Sequence, residues 1–450
     1  MIIKGIEAFS GKRVLLLQGP VGPFFRRLAS DLRNVGADVF KVNFNAGDWL
    51  FYPKEAINYR GSMEAWPAEI ERLVTSLHID VVFLFGDCRP IHRVAHEVAL
   101  RFDIEIGVFE EGYIRPNYVT LERSGVNGYS LQPNTPEYYI RNRPIEVPKE
   151  KQLGKTFWPM VLWGFLYFTV GGLGGLFFPR YRHHRPLTVL EAFPWIRSVW
   201  RKFWYSMKEK GVLDELTEIW NKRFFLVPLQ VHNDAQITEH SRYADIEAFI
   251  HDVIASFARY APDDTVLVFK HHPMDRGYTD YSVLIRQVSE RKKLGGRVFY
   301  LHDQHLPTLL NHALGVTVIN STVGLSAIHH GVPTKVCGSA IYDMAGLTSR
   351  KSLDRFWSTA QSELPDAALY GRFREYLIAH TQLNGSFYKA MNDTGLQSGL
   401  VWSASAQRPE QQWIPVGNVA VGIPQVRLLV ESEKMVREMR VRANRPVVVQ

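Results

Sequence analysis

Cysteine is scarce in this sequence, and a recognisable export signal is missing. Only two cysteines, Cys88 and Cys337, occur in 450 residues, which excludes a small secreted domain stapled by disulfides and agrees with a reducing compartment. Residues 1–13 contain no long apolar stretch followed by a small-residue cleavage site, so we expect no secretory signal peptide. We therefore expect the chain to stay in the cytoplasm.

Motifs that mark common cofactors are also missing. The loop that begins Gln18-Gly19 lacks the G-x-G-x-x-G spacing and the Walker lysine, which disfavours NAD and ATP. This loop either lets a ligand approach its backbone amides or forms an ordinary tight turn. No D-x-D pair lies near a predicted strand end, and no second cysteine near Cys88 completes a zinc set with the two histidines that follow it. We predict neither a metal nor a resident cofactor.

The chain is too long for one hydrophobic core, and it is basic. Its 450 residues are 46% hydrophobic and 22% charged, which predicts a folded protein of two or three domains. Lys and Arg number 53 against 45 Asp and Glu, a net charge of +8, which favours an anionic partner such as a phospholipid surface or a phosphorylated substrate. The basic residues are spread along the chain and form no known nucleic-acid module, so we expect no nucleic-acid partner.

Apolar strands alternate with helices in two separate series. In the first, the predicted strands are Arg13–Leu17, Ala37–Phe44, Asp80–Phe85 and Ile104–Phe109, and the predicted helices are Phe24–Val35, Trp66–Leu77 and Ile91–Phe102. In the second, the strands are Phe224–Val231, Thr265–Lys270, Arg297–Leu301, Val316–Asn320 and Thr334–Val336, and the helices are Ile246–Arg259, Tyr281–Glu290, Leu306–Ala313 and Val323–His330. This alternation predicts an α/β protein with two Rossmann-like domains of parallel strands facing one cleft, where ligands bind at the carboxyl ends of the strands.

The two series divide the chain into four regions. We predict one Rossmann-like domain over residues 1–150, an apolar and basic helical insertion that associates with membranes over 151–215, a second Rossmann-like domain over 216–380, and a partly irregular tail over 381–450. The tail is rich in Ser, Gly, Gln and Pro from Ser386 to Gly417, so we assign it no chemistry.

The insertion contains 22 consecutive residues without a charge, Phe157–Phe178, followed by a basic cluster at 180–185. Its length would permit a transmembrane helix. Pro159 and five glycines favour instead a re-entrant or interfacial hairpin, with Trp158, Trp163 and Tyr167 at headgroup depth and the basic cluster on anionic lipid. A buried helical hairpin of a soluble fold is the alternative.

Acidic residues follow two neighbouring strands of the first series. Asp87 comes just after one strand, and Glu110 and Glu111 follow the next, with Arg115 close behind. Acidic groups at the carboxyl ends of strands can supply the nucleophile, the base or the electrostatic support of glycosyl transfer. Alternatively, Glu110 and Arg115 form a solvated ion pair.

Cationic and hydroxyl groups end two strands of the second series. The first set is Lys270, His271, His272 and Pro273, and the second is Asn320, Ser321, Thr322 and Gly324. Three cationic or switchable groups that emerge together would suit a nucleotide phosphate, with a histidine as proton donor. The second set would form an anion pocket with free helical N–H groups. The alternatives are structural histidines and plain N-capping by Ser321 or Thr322.

Seven blocks in a fixed order resemble the capsule polysaccharide synthesis family of Gram-negative bacteria, and within it the β-Kdo transferases that begin the lipid-linked capsule anchor. The blocks lie between Val14 and Trp357 and read LLLQGPVGPFFRRL, VNFNAGDWLFYP, FGDCRPIHRVAH, FEEGYIRPNYVTLE, VPLQVHNDAQI, FKHHPMDRGYTDY and VINSTVGLSAIHHGVPTKV. The resemblance implies a GT-B-like fold, CMP-β-Kdo as donor, phosphatidylglycerol or its lyso form as acceptor, retention of the β configuration, and a peripheral place at the cytoplasmic face of the inner membrane. Further partners would be other capsule synthesis or export proteins.

The resemblance also implies roles for the candidate residues, with the acceptor on the first domain and the nucleotide on the second. The residues that would bind CMP are Lys270, His272, Asn320, Ser321, Thr322 and Gly324, and the binding set also includes His271, Pro273, Gln18, Gly19 and Arg115. Glu110, Glu111 and Asp87 would face the Kdo anomeric carbon. Related two-module capsule Kdo transferases look to have Glu-Asp-Gly where this chain has Glu110-Glu111-Gly112. We therefore expect Glu111 to be the nucleophile or stabiliser, with Glu110 or Asp87 as its partner.

Two other functions fit parts of the sequence. A CDP-alcohol phosphotransferase of the wall-polymer type also places a His-Pro pair in a nucleotide site, and it would transfer a phosphoryl-alcohol instead of a sugar. A non-catalytic adaptor could tie capsule assembly to the export machinery through Phe157–Phe178, in which case the loops at Lys270 and Asn320 would be structural.

Overall fold

A computed structural model describes residues 5–181 and 192–402, which contain two open β-sheets. The strands of the first sheet are β1 (Arg13–Leu16), β2 (Asp38–Asn43), β3 (Ile57–Asn58), β4 (Val81–Phe85), β5 (Glu105–Glu111), β6 (Tyr118–Arg123) and β12 (Gln382–Asn384). The strands of the second sheet are β7 (Phe224–Pro228), β8 (Val266–Lys270), β9 (Val298–Leu301), β10 (Gly315–Val318) and β11 (Thr334–Val336). We call the two halves built on these sheets the N-terminal unit and the C-terminal unit.

Helices connect the strands. In the first half they are α1 (Phe24–Asn34), α2 (Ala46–Phe51), α3 (Trp66–Ser76), α4 (Pro90–Arg101), α5 (Pro136–Arg141) and α6 (Phe157–Leu173). In the second half they are α7 (Ala192–Lys208), α8 (Val212–Glu218), α9 (Ala235–His240), α10 (Ile246–Tyr260), α11 (Ser282–Arg291), α12 (Leu306–His312), α13 (Thr322–His329), α14 (Leu353–Thr359) and α15 (Ala367–His380). Short 3-10 turns lie at Ile6–Phe9, Asn127–Tyr129, Gly174–Phe177, Pro273–Asp275 and Ala360–Ser362.

The pairing of the strands confirms the α/β class and the two Rossmann-like units of a GT-B-like fold. The C-terminal sheet has the order β11-β10-β7-β8-β9 and is parallel throughout. The N-terminal sheet has the order β12-β6-β5-β4-β1-β2-β3, and it is antiparallel at β5–β6 and β6–β12. A wholly parallel first sheet was therefore a wrong prediction, because a short loop and not a crossover helix joins β5 to β6.

Burial explains why these segments form these elements. The strands β7 and β8 are runs of apolar residues that are buried on both faces, as parallel strands covered by helices must be. Helix α10 buries Ile246, Phe249, Ile250 and Val253 along one stripe, the spacing of an amphipathic helix. Asp245 caps it by accepting a hydrogen bond from the Ala248 N–H at 2.8 Å, which satisfies a free donor of the first turn.

The chain returns to the N-terminal unit after α15. Strand β12 pairs with β6, and Phe387 and Leu400 are buried in the N-terminal core. The buried Asp31 carboxylate accepts the backbone N–H groups of Gln397 and Ser398 at 2.7 and 2.8 Å. Residues 382–402, the described part of the predicted tail, therefore pack on the N-terminal unit, where a few widely spaced apolar side chains are enough to dock the segment. Residues 403–450 lie outside the described residues.

The apolar segment is one helix, α6, followed by the 3-10 turn, and the predicted hairpin was wrong. Two glycines, Gly174 of this segment and Gly47 of α2, allow close packing between the segment and α2. A Cβ at Gly47 of α2 would lie 2.7 Å from the Tyr167 ring of α6, and one at Gly174 would overlap Ala46. Small residues at such contacts let two helix backbones approach closely.

One side of α6 remains open. The exposed fraction of Trp158 is 72%, that of Leu162 is 50% and that of Phe165 is 57%. Within the described residues, this helix with its 3-10 turn is the one segment long and apolar enough to cross a membrane, by length and composition only. Tyr167 is buried within the protein, so its side chain is not open to lipid as predicted, and Trp163 is half-buried. The predicted basic residues at 182–185 lie outside the described residues.

Candidate functional site

The predicted acidic residues gather at the carboxyl ends of β4 and β5. Strand β5 runs through Glu110 and Glu111, so both acids belong to the strand and do not follow it as predicted. Glu110 and Glu111 are the last two residues of β5, and their carboxyl groups have different hydrogen-bond partners. Asp87 follows β4, the neighbour of β5 in the sheet. The structure therefore brings the three predicted acids to one edge of the N-terminal sheet.

Glu110 has a buried carboxyl group. Its Oε1 accepts the backbone N–H of Glu111 at 2.9 Å, and the left-handed turn at Gly86 (φ 70°) leaves room for its other oxygen. Burial, together with the negative charges of Glu111 and Asp87, raises the pKa of Glu110 to about 7 in spite of the opposing charge of Arg89. A carboxyl group with such a pKa can take up or release a proton near neutral pH, as a general acid or base must.

Replacing Glu110 by glutamine is expected to stabilise the protein at alkaline pH. Because the folded-state pKa of Glu110 is about 7 against an ordinary 4.5, the folded state holds a proton that the unfolded state releases, and stability is lost as the pH rises through this interval. The neutral amide of glutamine removes the cost of the buried charge, so the free energy of unfolding should rise by on the order of 2 kcal/mol at about pH 8.

Urea unfolding of the Glu110→Gln protein at about pH 8 and about pH 4 measures this difference. Glu97→Gln, at an exposed position of α4, is the matched control and should shift stability equally at both pH values. A Glu110→Gln protein no more stable than the wild type at the higher pH would contradict the burial of a costly charge.

Glu111 is held by a residue that the sequence interpretation missed. Its Oε1 accepts a hydrogen bond from the Tyr388 hydroxyl at 2.6 Å. Burial and the nearby Glu111 charge raise the pKa of Tyr388 well above its ordinary value, so the phenol keeps its proton and remains a donor. The aromatic pair Phe387-Tyr388 within a Ser- and Gly-rich stretch was the one available sequence signal.

The other N-terminal candidates serve mainly as supports in this structure. One Asp87 oxygen accepts the Val126 N–H at 2.9 Å, and the Cys88 thiol donates to the other at 3.3 Å. Arg115 is exposed, and its Nε donates to the Gly112 carbonyl at 3.3 Å. Among the ion pairs of the described residues none joins Glu110 to Arg115, so the solvated-pair alternative was wrong.

The Gln18 loop connects α6 with the acidic edge. The buried Gln18 amide donates to the Tyr167 and Tyr181 hydroxyls at 3.2 and 2.9 Å, and its oxygen accepts from Arg89 at 2.9 Å. Gly19 packs so closely on Phe25 that a Cβ would lie 2.7 Å from the ring. In this structure the loop is used for packing, and its contact with a ligand remains a prediction.

The cationic set after β8 is only partly open. Lys270 is buried and donates to the His302 carbonyl at 3.3 Å, and burial lowers its pKa. The His271 imidazole bonds the Tyr300 hydroxyl at 2.7 Å, and burial lowers its pKa to about 4. The prediction that three cationic groups emerge together was wrong for these two, because pairing with β9 continues through the His271 N–H. His272 is half-buried and Pro273 is exposed.

A histidine-aspartate pair at this edge of the C-terminal sheet was not predicted. The His232 ring follows β7, and its Nδ1 lies 2.5 Å from the buried Asp275 carboxylate, which also accepts the Thr279 hydroxyl at 2.7 Å. Since β7 and β8 are neighbours in the sheet, His232 and His272 lie at adjacent strand ends. The block VPLQVHNDAQI contained His232, but a lone histidine in a loop gave no indication of the buried partner.

The Asn320 set forms an ordered turn into α13. Ser321 caps the helix by accepting the Val323 N–H at 3.2 Å, which confirms the capping alternative for this residue. Gly324 lies where any side chain would overlap Tyr342. Thr322 and Asn320 line a small cavity between the two units, together with Tyr113 of the N-terminal unit.

Helix α9 joins the two predicted site halves. Asn320 Nδ2 donates to the Gln236 carbonyl at 2.8 Å, and Gln236 Nε2 lies 3.6 Å from the Cys88 sulfur, next to Asp87. The His240 ring of the same helix lies 3.9 Å from that sulfur. These contacts place the acidic edge of one sheet beside the Asn320 turn of the other.

Two further observations bear on ligands. In residues 5–181 and 192–402, the structure places no three His, Cys, Asp or Glu side chains as a metal site, and the expected metal independence stays a prediction. A hollow of about 570 Å³ lies between α7, α11 and β9. None of the predicted site residues lines it.

Comparison of the sequence with known proteins finds relatives described as capsule polysaccharide proteins. A family model described as "Capsule polysaccharide biosynthesis protein" matches residues 80–388. The capsule polysaccharide export protein KpsS of Escherichia coli is 40% identical over 84% of this chain and 97% of its own length. The capsule polysaccharide modification protein LipB of Neisseria meningitidis serogroup B is 38% identical over 84% of this chain and 92% of its own length.

A search of solved structures found weaker likenesses. KpsC of Thermosulfurimonas dismutans, described as a β-Kdo 2,7 transferase, covers 80% of this chain and 94% of its own, with 16% identity and a TM-score of 0.39.

Proposed function

The chain belongs to the capsule polysaccharide biosynthesis family, and from this premise we propose that it is a retaining β-Kdo glycosyltransferase. It would transfer Kdo from CMP-Kdo to phosphatidylglycerol or lyso-phosphatidylglycerol and so begin the lipid linker of a capsular polysaccharide. The observation that carries the proposal is the pair of carboxyl groups at the end of β5. Burial raises the pKa of Glu110 to about 7, and a phenol donates to Glu111.

Two carboxyl groups in different environments suit a two-step transfer with retention. In the first step a Glu111 oxygen bonds to the Kdo anomeric carbon while the bond to the phosphate oxygen breaks, and CMP leaves with the electron pair. In the second step an acceptor hydroxyl gives its proton to Glu110 and bonds to the same carbon, which releases Glu111. Two displacements at one carbon preserve the β configuration.

The departing CMP needs positive charge or hydrogen-bond donors at its phosphate. His272 and Pro273 lie at the open end of β8, and Asn320 and Thr322 lie at the boundary between the units. We propose that His272 protonates or hydrogen-bonds the leaving phosphate. The buried Lys270 and His271 would support the loop that contains His272 and Pro273. No resident cofactor or metal takes part in this proposal.

Two exposed helices would hold the enzyme at the cytoplasmic face of the inner membrane, as a peripheral protein. Helix α6 presents Trp158, Leu162 and Phe165, and α7 presents Trp200 and Phe203, whose exposed fractions are 61% and 66%. Around α7, over residues 192–211, the sequence contains one acidic residue, and it is buried. Aromatic faces flanked by basic side chains favour an anionic lipid surface.

Thermal unfolding with cytidine nucleotides tests the donor site. CMP binding to the folded state alone should stabilise it by about 2.7 kcal/mol at a concentration about 100 times Kd, and His272→Ala should reduce this gain. His305→Ala, an exposed histidine of the same unit, is the control. Absence of any stabilisation by CMP would contradict the proposal and favour the adaptor, whereas stabilisation by a CDP-alcohol alone would favour the phosphotransferase.

A further inference from the structure

We infer that Tyr388 is the positioning residue for the Glu111 carboxylate, and that α6 holds Tyr388 in place, so that binding of α6 to a lipid surface sets the orientation of Glu111. The role in transfer rests on the proposed function. The coupling between α6 and the segment containing Tyr388 rests on contacts alone.

The first contact joins Tyr388 to the acid. Its hydroxyl donates to Glu111 Oε1 at 2.6 Å, a length typical of a strong bond between a hydroxyl and a carboxylate. A single fixed donor on one oxygen limits rotation of the carboxyl group and leaves the second oxygen for another partner.

The second contact joins the same tyrosine to the apolar helix. Trp163 of α6 donates its indole N–H to the Tyr388 carbonyl at 3.0 Å. The indole also packs on the Gly22 turn, where a Cβ would lie 3.1 Å from the ring, so Trp163 cannot move without displacing one of these neighbours. Two hydrogen bonds therefore separate α6 from the carboxylate of Glu111.

The segment around Tyr388 is fixed to the N-terminal unit on its other side. Arg27 of α1 donates to the Phe387 carbonyl at 2.8 Å, and the Phe387 ring packs edge-on against Phe24 and Phe109 at 4.9 and 6.2 Å. These contacts come from the sheet and from α1. Trp163 is the contact through which α6 acts on the backbone of Tyr388.

A second connection from α6 ends beside Glu110. The Tyr167 hydroxyl accepts a hydrogen bond from Gln18, and the Gln18 oxygen accepts one from Arg89. The Arg89 charge in turn lowers the pKa of Glu110 against the effect of burial. Both acids of the proposed reaction are thus connected with α6, through different sets of contacts.

Lipid binding to the exposed face of α6 would regulate the contacts between α6 and the two acids. In water that face exposes Trp158, Leu162 and Phe165. A lipid surface would bury these side chains and favour one position of α6 relative to the N-terminal unit. A ligand can shift a conformational equilibrium only by its difference in affinity for the two states. Burial of this face in lipid would supply such a difference between α6 packed on the Gly22 turn, as described here, and α6 displaced from that turn.

Hydrogen exchange with vesicles tests the coupling without any substrate. Vesicles of phosphatidylglycerol and phosphatidylcholine should slow amide exchange in 157–177 and, in the wild type, in 386–390 as well. In Trp163→Phe, which keeps the ring and loses the donor, the change at 157–177 should remain and that at 386–390 should disappear. Trp220→Phe removes an indole N–H that bonds Glu215 elsewhere and should behave like the wild type.

Kinetics test the positioning role. Tyr388→Phe should lower kcat about tenfold with little change in the acceptor KM, because the Glu111 carboxylate loses the donor that orients it. Tyr260→Phe, at an exposed tyrosine, is the control. A kcat in Tyr388→Phe equal to that of the wild type would overturn the positioning role.

The coupling fails if vesicles slow exchange at 157–177 and leave 386–390 unchanged, if Trp163→Phe keeps the full effect, or if vesicles do not bind. A wild-type protein without Kdo transfer would instead refute the proposed function, and the exchange result would still decide the coupling.

Discussion

Replacing Glu111 by glutamine is expected to reduce Kdo transfer by about 10³-fold or more, because an amide oxygen is too weak a nucleophile for the first displacement. The amide still accepts the Tyr388 hydroxyl, so the fold and CMP binding should be unchanged. Initial rates with saturating CMP-Kdo and a fluorescent lyso-phosphatidylglycerol measure the loss. A binding measurement with CMP separates a chemical defect from a structural one.

Glu97→Gln is the matched control for Glu111→Gln, since Glu97 is an exposed glutamate of the same unit, and it should retain full activity. Glu110→Gln should retain part of the first displacement and lose the pH dependence of the second, because Glu110 is the proposed base. Full activity of Glu111→Gln would exclude Glu111 as the nucleophile and leave Glu110 or Asp87 for that role.

Two acidic substitutions on the open side of α6, Leu162→Glu with Phe165→Glu, are expected to weaken vesicle binding about 100-fold. Both side chains are at least half exposed, so the fold should tolerate them. Each change removes apolar area from the lipid contact and adds repulsion from anionic headgroups, together about 3 kcal/mol. Sedimentation with phosphatidylglycerol vesicles measures the effect.

Two glutamate substitutions at exposed apolar residues away from α6 provide the control. Val283 and Leu364 of the C-terminal unit are also exposed, at 52% and 68%, and their replacement by glutamate should leave vesicle binding intact. The α6 variant should still transfer Kdo to a short-chain acceptor in solution, at the basal rate of protein without lipid. Undiminished vesicle binding by the α6 variant would show that this face does not contact lipid.

The fold could be predicted where the sequence pattern is local. Strands such as β4 and β8 are continuous apolar runs between turn signals, and the structure places them within one residue of the prediction. The edge strand β12 was missed because it pairs with β6 over more than 250 positions. No local pattern shows such a partner.

The site could be predicted in part, for a related reason. Glu110, Glu111 and Asp87 were found because parallel strands end at one edge of a sheet. The sequence does not show which way a side chain turns at that edge, and Lys270 and His271 turn inward. Tyr388 comes from a distant segment that only tertiary packing brings to Glu111. The glycines of the apolar segment indicated a reversal of the chain, whereas the segment forms one helix and Gly174, just after it, permits close packing on α2.

Analysis of the lipid product tests the central claim most directly. Purified protein is incubated with fluorescent lyso-phosphatidylglycerol and freshly generated CMP-Kdo, and the lipid is analysed by mass spectrometry. The account predicts a mass gain of one Kdo residue without added phosphorus, released by treatment that cleaves ketosidic bonds. An unchanged lipid mass, with the donor shown to be active by a control transferase, or a gain that contains phosphorus, would contradict it.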